Sequence, residues 1–308
     1  MKRFSIVRNI SFFIISIALS TLTNNANAER LKYIEFSQLG SPAEVLEVKE
    51  DHSRPLKSGE IRVRVLAVPI NPSDLLQIEG NYGIDPVLPY RPGKEGIGRV
   101  VEISSEIKHL MVGQLVLLVG GETGTWRDEI VAPAVSFLPL PNLGTIDSNM
   151  IEQLSMTVVN PMTALLMLTS FVELEEGQWI VQSASNSAVG GYVIQLAKQR
   201  GIKTINVVRR EGLAEDLIAK GGDVVLIDGP NLTAQITKAT NNAPVKLALD
   251  AVGGDTYTRL ANSLGYGGTL IAYGVLSGKD ATLNPGMTIA NDIRLRSFWL
   301  TKWYEAAE

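Results

Sequence analysis

The chain of 308 residues has no cysteine and only two histidines. Disulfides and thiolate metal sites are therefore excluded, and a metal hydrolase or a Ser-His-Asp centre would have to be built on His52 or His109. His52 lies in the polar turn "EDHSRP" and His109 in "EIKHLMVGQ", and both read as surface residues. Internal repeats and low-complexity tracts are also absent. So is an excess of base: 28 Lys and Arg stand against 32 Asp and Glu, a formal charge of −4, which argues against a nucleic-acid partner.

Acids are missing from one region in particular. The first is Glu29, and before it come Lys2, Arg3 and Arg8, the apolar run "ISFFIISIALSTL" and the small residues Ala26 and Ala28. Basic, then apolar, then A-x-A is the order of a secretory signal peptide over residues 1–28, which implies an exported or periplasmic protein. The run falls short of the roughly 20 residues of a membrane span. A mitochondrial presequence is likewise acid-free but normally amphipathic, and a mitochondrial or cytoplasmic location stays open as the alternative. Removing three basic groups from the 28 leaves 25 against 32 acids, about −7.

What is present is apolar surface and glycine: 45% of the residues are hydrophobic and 28 are glycine, enough for two domains with cores. From about Leu31 to Pro141, short β-rich stretches such as "IRVRVLAVPI", "GIGRVVEI" and "QLVLLVG" are separated by Gly, Pro, Asn and Asp. This spacing predicts an all-β, barrel-like domain. Then strands alternate with helical periods: "WIVQSA", a helix over Val189 to Arg200, "TINVV", "LAEDLIAKG", "VVLI", "LTAQITKATN", "KLALDAV", "DTYTRLANSLG" and "TLIAYGV". The alternation predicts an α/β fold of Rossmann type, a doubly wound parallel sheet with helices on both faces. The tail beginning "ATLNPGMT" leaves this pattern and is expected to return to the first domain.

The stretch "VQSASNSAVGG" (181–191) joins the first strand of that sheet to its first helix. A dinucleotide loop needs this context, because a helix N-terminus offers free N–H groups and a positive dipole end to a pyrophosphate. An ordinary βα turn is the competing account. The end of the next strand, "TINVVRREG", places Arg209 and Arg210 where NAD-preferring folds carry an acid for the ribose 2′-hydroxyl. Two arginines there suit a 2′-phosphate, so NADPH is the expected cofactor, unless they are solvated surface residues. Asp250 and the pair Tyr273 and Gly274 end two further strands on the edge where such sheets bind ligands; each serves either the cofactor or its own turn.

Five stretches carry a family resemblance: "NPSDLLQIEGNYG" (71–83), "GTWRDEIV" (124–131), "NPMTALLML" (160–168), "QSASNSAVGGYVIQLAKQRGIKTINVVRR" (182–210) and "SFWL" (297–300). From about residue 31 onward the chain resembles the medium-chain dehydrogenase/reductase superfamily, and within it the 2-enoyl thioester reductases of the mitochondrial trans-2-enoyl-CoA reductase type. The resemblance implies a GroES-like β-barrel catalytic domain over 29–158 and 291–308, and a Rossmann cofactor domain over 159–290. It also implies NADPH-dependent reduction of an enoyl-CoA or enoyl-ACP thioester in fatty acid metabolism, by a possible homodimer. Zinc-dependent members carry a histidine ligand before the glutamate of the stretch matching "PGKEGIG". Here that position is Lys94, and without cysteine no such site can be built, so no metal is expected.

By the same resemblance Tyr82 in "GNYG" matches the catalytic tyrosine. A phenol, protonated at neutral pH, can donate to a developing enolate, whereas an ordinary loop tyrosine would pack its ring and expose its hydroxyl. Trp126 would wall the substrate site, or else pack within its domain. Asn160 and Thr163 match positions against the nicotinamide half of the cofactor, with a structural N-cap as the rival role for Asn160. Ser187, Ala188, Val189 and Gly190 map onto the pyrophosphate segment, where Ala188 replaces a glycine of close relatives. Arg209 and Arg210 map onto the 2′-phosphate clamp, and Phe298, Trp299 and Leu300 onto a segment that closes over the nicotinamide. The family continues past "SFWL" with further helix and strand and a cofactor-contacting lysine, whereas this chain ends at Glu308. Two rivals therefore stand beside the thioester reductase: an NADPH quinone or enone reductase, and an inactive truncated paralogue.

Overall fold

The computed structural model describes residues 30–119 and 124–307; the expected export signal over residues 1–28 lies outside them. Contacts divide the chain into two compact units, up to Leu143 and from Gly144 onward. Among the described residues no helix is long and apolar enough to cross a membrane.

The first unit runs β1 (Arg30–Glu35), α1 (Pro42–Val45), β2 (Glu47–His52), β3 (Glu60–Ala67), α2 (Pro72–Ile78), β4 (Glu95–Ile103), β5 (Leu115–Val119), β6 (Glu129–Pro133) and β7 (Phe137–Pro139). Strands β1 and β2 form an antiparallel pair, and the other five form an antiparallel sheet in the order β6-β3-β4-β5-β7. In "IRVRV" the period of two sends Ile61 and Val63 into a core with Val100, Val116, Leu118 and Ile130. Arg62 faces the other way and is buried between Glu102 (2.7 Å) and Glu129 (2.5 Å), so its charge is paired. The first domain is thus β-rich, as its turn spacing predicts.

The second unit opens with α3 (Ser148–Ser155) and α4 (Asn160–Thr169) and then alternates β8 (Trp179–Gln182), α5 (Ala188–Gln199), β9 (Lys203–Val208), α6 (Ala214–Ala219), β10 (Val224–Ile227), α7 (Leu232–Ala239), β11 (Val245–Asp250), α8 (Gly254–Asn262), β12 (Leu264–Ala272), α9 (Pro285–Ala290), β13 (Arg294–Ser297) and α10 (Leu300–Ala307). Its six parallel strands are ordered β10-β9-β8-β11-β12-β13, so the winding reverses between β8 and β11. Alternate strand residues feed two cores. Ile180, Leu247, Leu249 and Ile271 pack with Ala164, Met167 and Val193 of α4 and α5, while Val181, Ile205, Ala248 and Leu270 pack with Leu232, Ile236 and Leu260 of α7 and α8. Burial on both faces explains why these strands read as continuous apolar runs.

The tail departs from expectation. The expected return of 291–308 to the first domain is not what the described tail does: β13 extends the parallel sheet beside β12, pairing Thr269 with Arg294 through Ala272 with Ser297. Phe298 enters the core of the second unit and meets Phe171 and Trp303 edge-on or tilted, at centroid distances of 6.1 and 5.8 Å. Four residues of exposed, charged sequence, "RLRS", carry too little apolar periodicity to announce a sheet strand. The boundary likewise falls at Leu143 rather than near residue 158, because α3 and the segment that leads to α4 belong to the second unit.

Candidate active site

The carboxyl ends of the parallel strands enclose a cleft of about 490 Å³. Its wall is drawn from the turn after β8 (Ser183, Ala184, Asn186, Ser187), from the end of β9 (Val207 to Arg210) and from Asp228 after β10. Val252 after β11 and Thr256 of α8, with Leu276 and Ser277 after β12, complete it. This is the position of ligands in open α/β sheets, at the point where strand order reverses.

Local chemistry shapes the loop. Ser187 caps α5, accepting from the Gly190 amide at 3.1 Å through its side chain and from the Gly191 amide at 3.0 Å through its carbonyl. The amides of Ala188 and Val189 belong to the first turn, which has no intrahelical acceptors, so they remain for a ligand. Gly190 lets α5 approach β8: a Cβ there would lie 2.7 Å from the carbonyl carbon and Cα of Ser185. Gly190→Ala is expected to destabilise the protein by about 1–3 kcal/mol, a drop of several degrees in Tm by calorimetry, since backbone rather than a mobile side chain must yield. An unchanged Tm would mean that the loop relaxes freely.

Ala188 takes an ordinary helical position, and the positive φ of this turn falls instead on Ala184, at +47°. A positive φ strains a residue with a Cβ by about 1–2 kcal/mol. The sequence gives no sign of it, because the residue at this bend is not glycine.

Arg209 and Arg210 are exposed at the tip of β9, line the cleft, and have no ion-pair partner among the described residues. Asp228, the acid among the residues of the wall, is engaged by Arg259 through two hydrogen bonds of 2.8 Å and by Thr256 at 2.5 Å. Burial pushes its carboxyl up, but the Arg259 and Thr256 hydrogen bonds outweigh that and hold it below its usual value. The cleft therefore offers two uncompensated guanidinium groups.

Asp250 is fully buried and serves its turn. It accepts from Ser183 (2.6 Å) and from the amides of Val252 (3.2 Å) and Gly253 (2.7 Å), tying the ends of β8 and β11 together. Beside it, the Tyr273 hydroxyl is buried without a hydrogen-bond partner among the described residues. Burial and the Asp250 charge push that phenol up, while the neighbouring Ser187 hydroxyl opposes the shift without reaching hydrogen-bond geometry. Gly274 follows, where a Cβ would approach the Ala251 carbonyl oxygen to 2.7 Å. The cleft wall thus combines the entrance of α5 with two free arginines, whereas Tyr273 and Gly274 are not among the described residues that line it.

Asn160 and Thr163 are buried on α4. The capping position is Val159, so Asn160 is the first helical residue rather than an N-cap. Trp299 is half-buried, and Leu300 begins α10.

In the first unit a second polar group forms around Tyr82. "NPSD" starts α2 with Pro72 in its first turn, and Asp74 reaches back to the Asn71 amide at 2.8 Å. The Asn71 side chain donates to buried Glu95 at 3.0 Å, and Thr125 donates to the Glu95 carbonyl at 2.8 Å. The Lys94 ammonium lies 3.2 Å from the centroid of the half-buried Tyr82 ring. Trp126 is half-buried, with its indole N–H bound to the Pro69 carbonyl (3.1 Å) and its ring against the small core of Phe36, Val45 and Ile78. Sequence reasoning singled out Tyr82 and Trp126 but missed Asp74 and Glu95. It treated Lys94 only as the place of an absent histidine.

Comparisons with known proteins agree with this geometry. Residues 57–142 match the alcohol dehydrogenase GroES-like domain and residues 188–308 match the zinc-binding dehydrogenase family, although the latter stretch contains neither cysteine nor histidine. The human mitochondrial enoyl-[acyl-carrier-protein] reductase is 35% identical over 292 residues, covering 93% of this chain and 77% of that protein. Etr1p in complex with NADP and crotonyl-CoA, and the mitochondrial 2-enoyl thioester reductase Etr1p/Etr2p heterodimer from Candida tropicalis, superpose with a TM-score of 0.82 at 28% identity, over 90% of this chain and 84% of theirs. A Bacillus thuringiensis structure described as an NADPH:quinone reductase gives 0.79 at 31% identity, over 90% and 82%. The chain belongs to the enoyl-[acyl-carrier-protein] reductase family of mitochondrial type, within the medium-chain dehydrogenase/reductase superfamily.

Proposed function

We propose that the protein reduces the double bond of 2-enoyl thioesters with NADPH, releasing the saturated acyl thioester. The observation that carries the cofactor choice is the pair of unpaired arginines on the cleft wall, beside an acid already neutralised by Arg259. NADPH, when bound, supplies a hydride for the β carbon of the enoyl group. Arg209 and Arg210 would hold the 2′-phosphate, and the Ala188 and Val189 amides, at the helix entrance that Ser187 caps through the Gly190 amide, would receive the pyrophosphate. Tyr273 and Gly274 bound the same loop. Asn160 and Thr163 would serve the nicotinamide half, with Trp299 and Leu300 beside it and Phe298 anchoring their segment in the core. Tyr82 stabilises the enolate and gives a proton to the α carbon, so that the elements of H₂ are added across the bond. Trp126 shapes the substrate side.

The Bacillus thuringiensis relative favours one second reading, a quinone reductase using the same cofactor site. Mitochondrial relatives support the mitochondrial alternative for the acid-free leader over export. The heterodimeric relative, with β13 ending the sheet as a strand of four exposed residues, supports pairing of two copies. Titration of the purified chain, following nicotinamide fluorescence, should show NADPH bound at least about tenfold tighter than NADH. Equal affinity, or no binding of either, would refute the cofactor assignment.

A further inference from the structure

We propose that Lys94 is a positioning residue for Tyr82, holding its ring and supplying the cation beside which the phenolate forms. The inference rests on the reading of Tyr82 as proton donor. Lysine at a surface turn normally extends its ammonium into water. Here the ammonium is turned inward, onto the Tyr82 ring face at 3.2 Å and towards the Ser73 carbonyl at 3.3 Å.

Packing fixes that direction from both sides. Gly93 precedes Lys94 with φ +103°, and a Cβ there would lie 2.9 Å from the Thr125 amide nitrogen and 2.5 Å from the Trp126 ring. Glu95 follows, fully buried and bound to Asn71. The third member is Asp74, 1% exposed, whose Oδ2 accepts from Asn71 while Oδ1 has no hydrogen-bond partner among the described residues. Burial pulls the Lys94 ammonium below its usual range, against the opposing pull of Tyr82 and Asp74. Burial equally pushes Asp74 up, and the Asn71 amide and the Lys94 charge oppose it. Lys94 and Asp74 thus each help the other to keep its charge.

The chemistry follows from the placement. When the Tyr82 O–H bond breaks and the proton moves to the substrate α carbon, the electron pair remains on the phenolate oxygen. An ammonium over the ring face stabilises that anion more than the neutral phenol, so the contact favours the transition state in which the proton leaves for the substrate. The same contact restricts the ring.

The test is a cycle of Lys94→Met, Lys94→Gln and Lys94→Arg, each with Tyr82 intact and in the Tyr82→Phe background, assayed for crotonyl thioester reduction. With Tyr82 intact, Met and Gln should each lower kcat about 30-fold with KM within about threefold, and Arg should recover kcat to within about fivefold of the parent. In the Tyr82→Phe background the same replacements should change kcat less than about twofold. NADPH titration and thermal melting identify any variant that fails to fold, and Gln then stands in for Met. Equal losses in both backgrounds, no loss in Met and Gln, or an Arg variant as impaired as Met would overturn the proposal. If Tyr82→Phe alone leaves kcat unchanged, the proton-donor reading itself fails, an outcome visible without any Lys94 variant.

Discussion

Replacing Arg209 and Arg210 together by alanine is expected to weaken NADPH binding about 100-fold while changing NADH affinity by no more than about threefold. Each arginine contributes about 1.4 kcal/mol, just under the range of about 1.5–3 kcal/mol for hydrogen bonds to charged groups, because both side chains are exposed and screened by solvent. The effect is selective because the two cofactors differ only in the 2′-phosphate. Nothing else in the β9 tip supplies positive charge, and Asp228 is already paired with Arg259. Fluorescence titration of the double variant with both nucleotides reads the difference directly. Equal weakening of NADPH and NADH would mean that the arginines support the loop rather than the phosphate.

The second large effect concerns Tyr82. Tyr82→Phe removes one hydroxyl and leaves the ring on which Lys94 rests, so local packing is retained. Loss of a proton donor at the developing enolate should lower kcat about 100-fold or more, the lower bound for a general acid, with KM and NADPH affinity within about twofold. Stopped-flow oxidation of NADPH by crotonyl thioester separates this outcome from its contrary. A raised KM at unchanged kcat would make Tyr82 a binding group only.

Several features were legible in the chain because they are local. The βαβ rhythm follows from apolar periods of two and 3.6. "TINVVRR" shows its arginines because they directly follow a strand, so that their place on the cleft is set by chain order alone. Asp250 was ambiguous in sequence and is resolved by partners 67 residues away, since Ser183 and the turn amides consume its oxygens. The strain at Ala184 is invisible in sequence because alanine announces no positive φ, whereas Ala188, where close relatives carry glycine, falls on a helical position. The tail misled for a physical reason: an edge strand with one partner needs little apolar patterning, and "RLRS" has little. The Lys94 contact joins a loop to a strand entrance through the face of a ring, a relation that no spacing rule encodes.

The most direct test of the account is turnover of the purified protein with NADPH and crotonyl thioester, set beside a quinone and beside NADH. Stoichiometric formation of the saturated thioester with NADPH, at a kcat/KM well above that for quinone, is the predicted result. NADPH oxidation by quinone with no reduction of the thioester would contradict it.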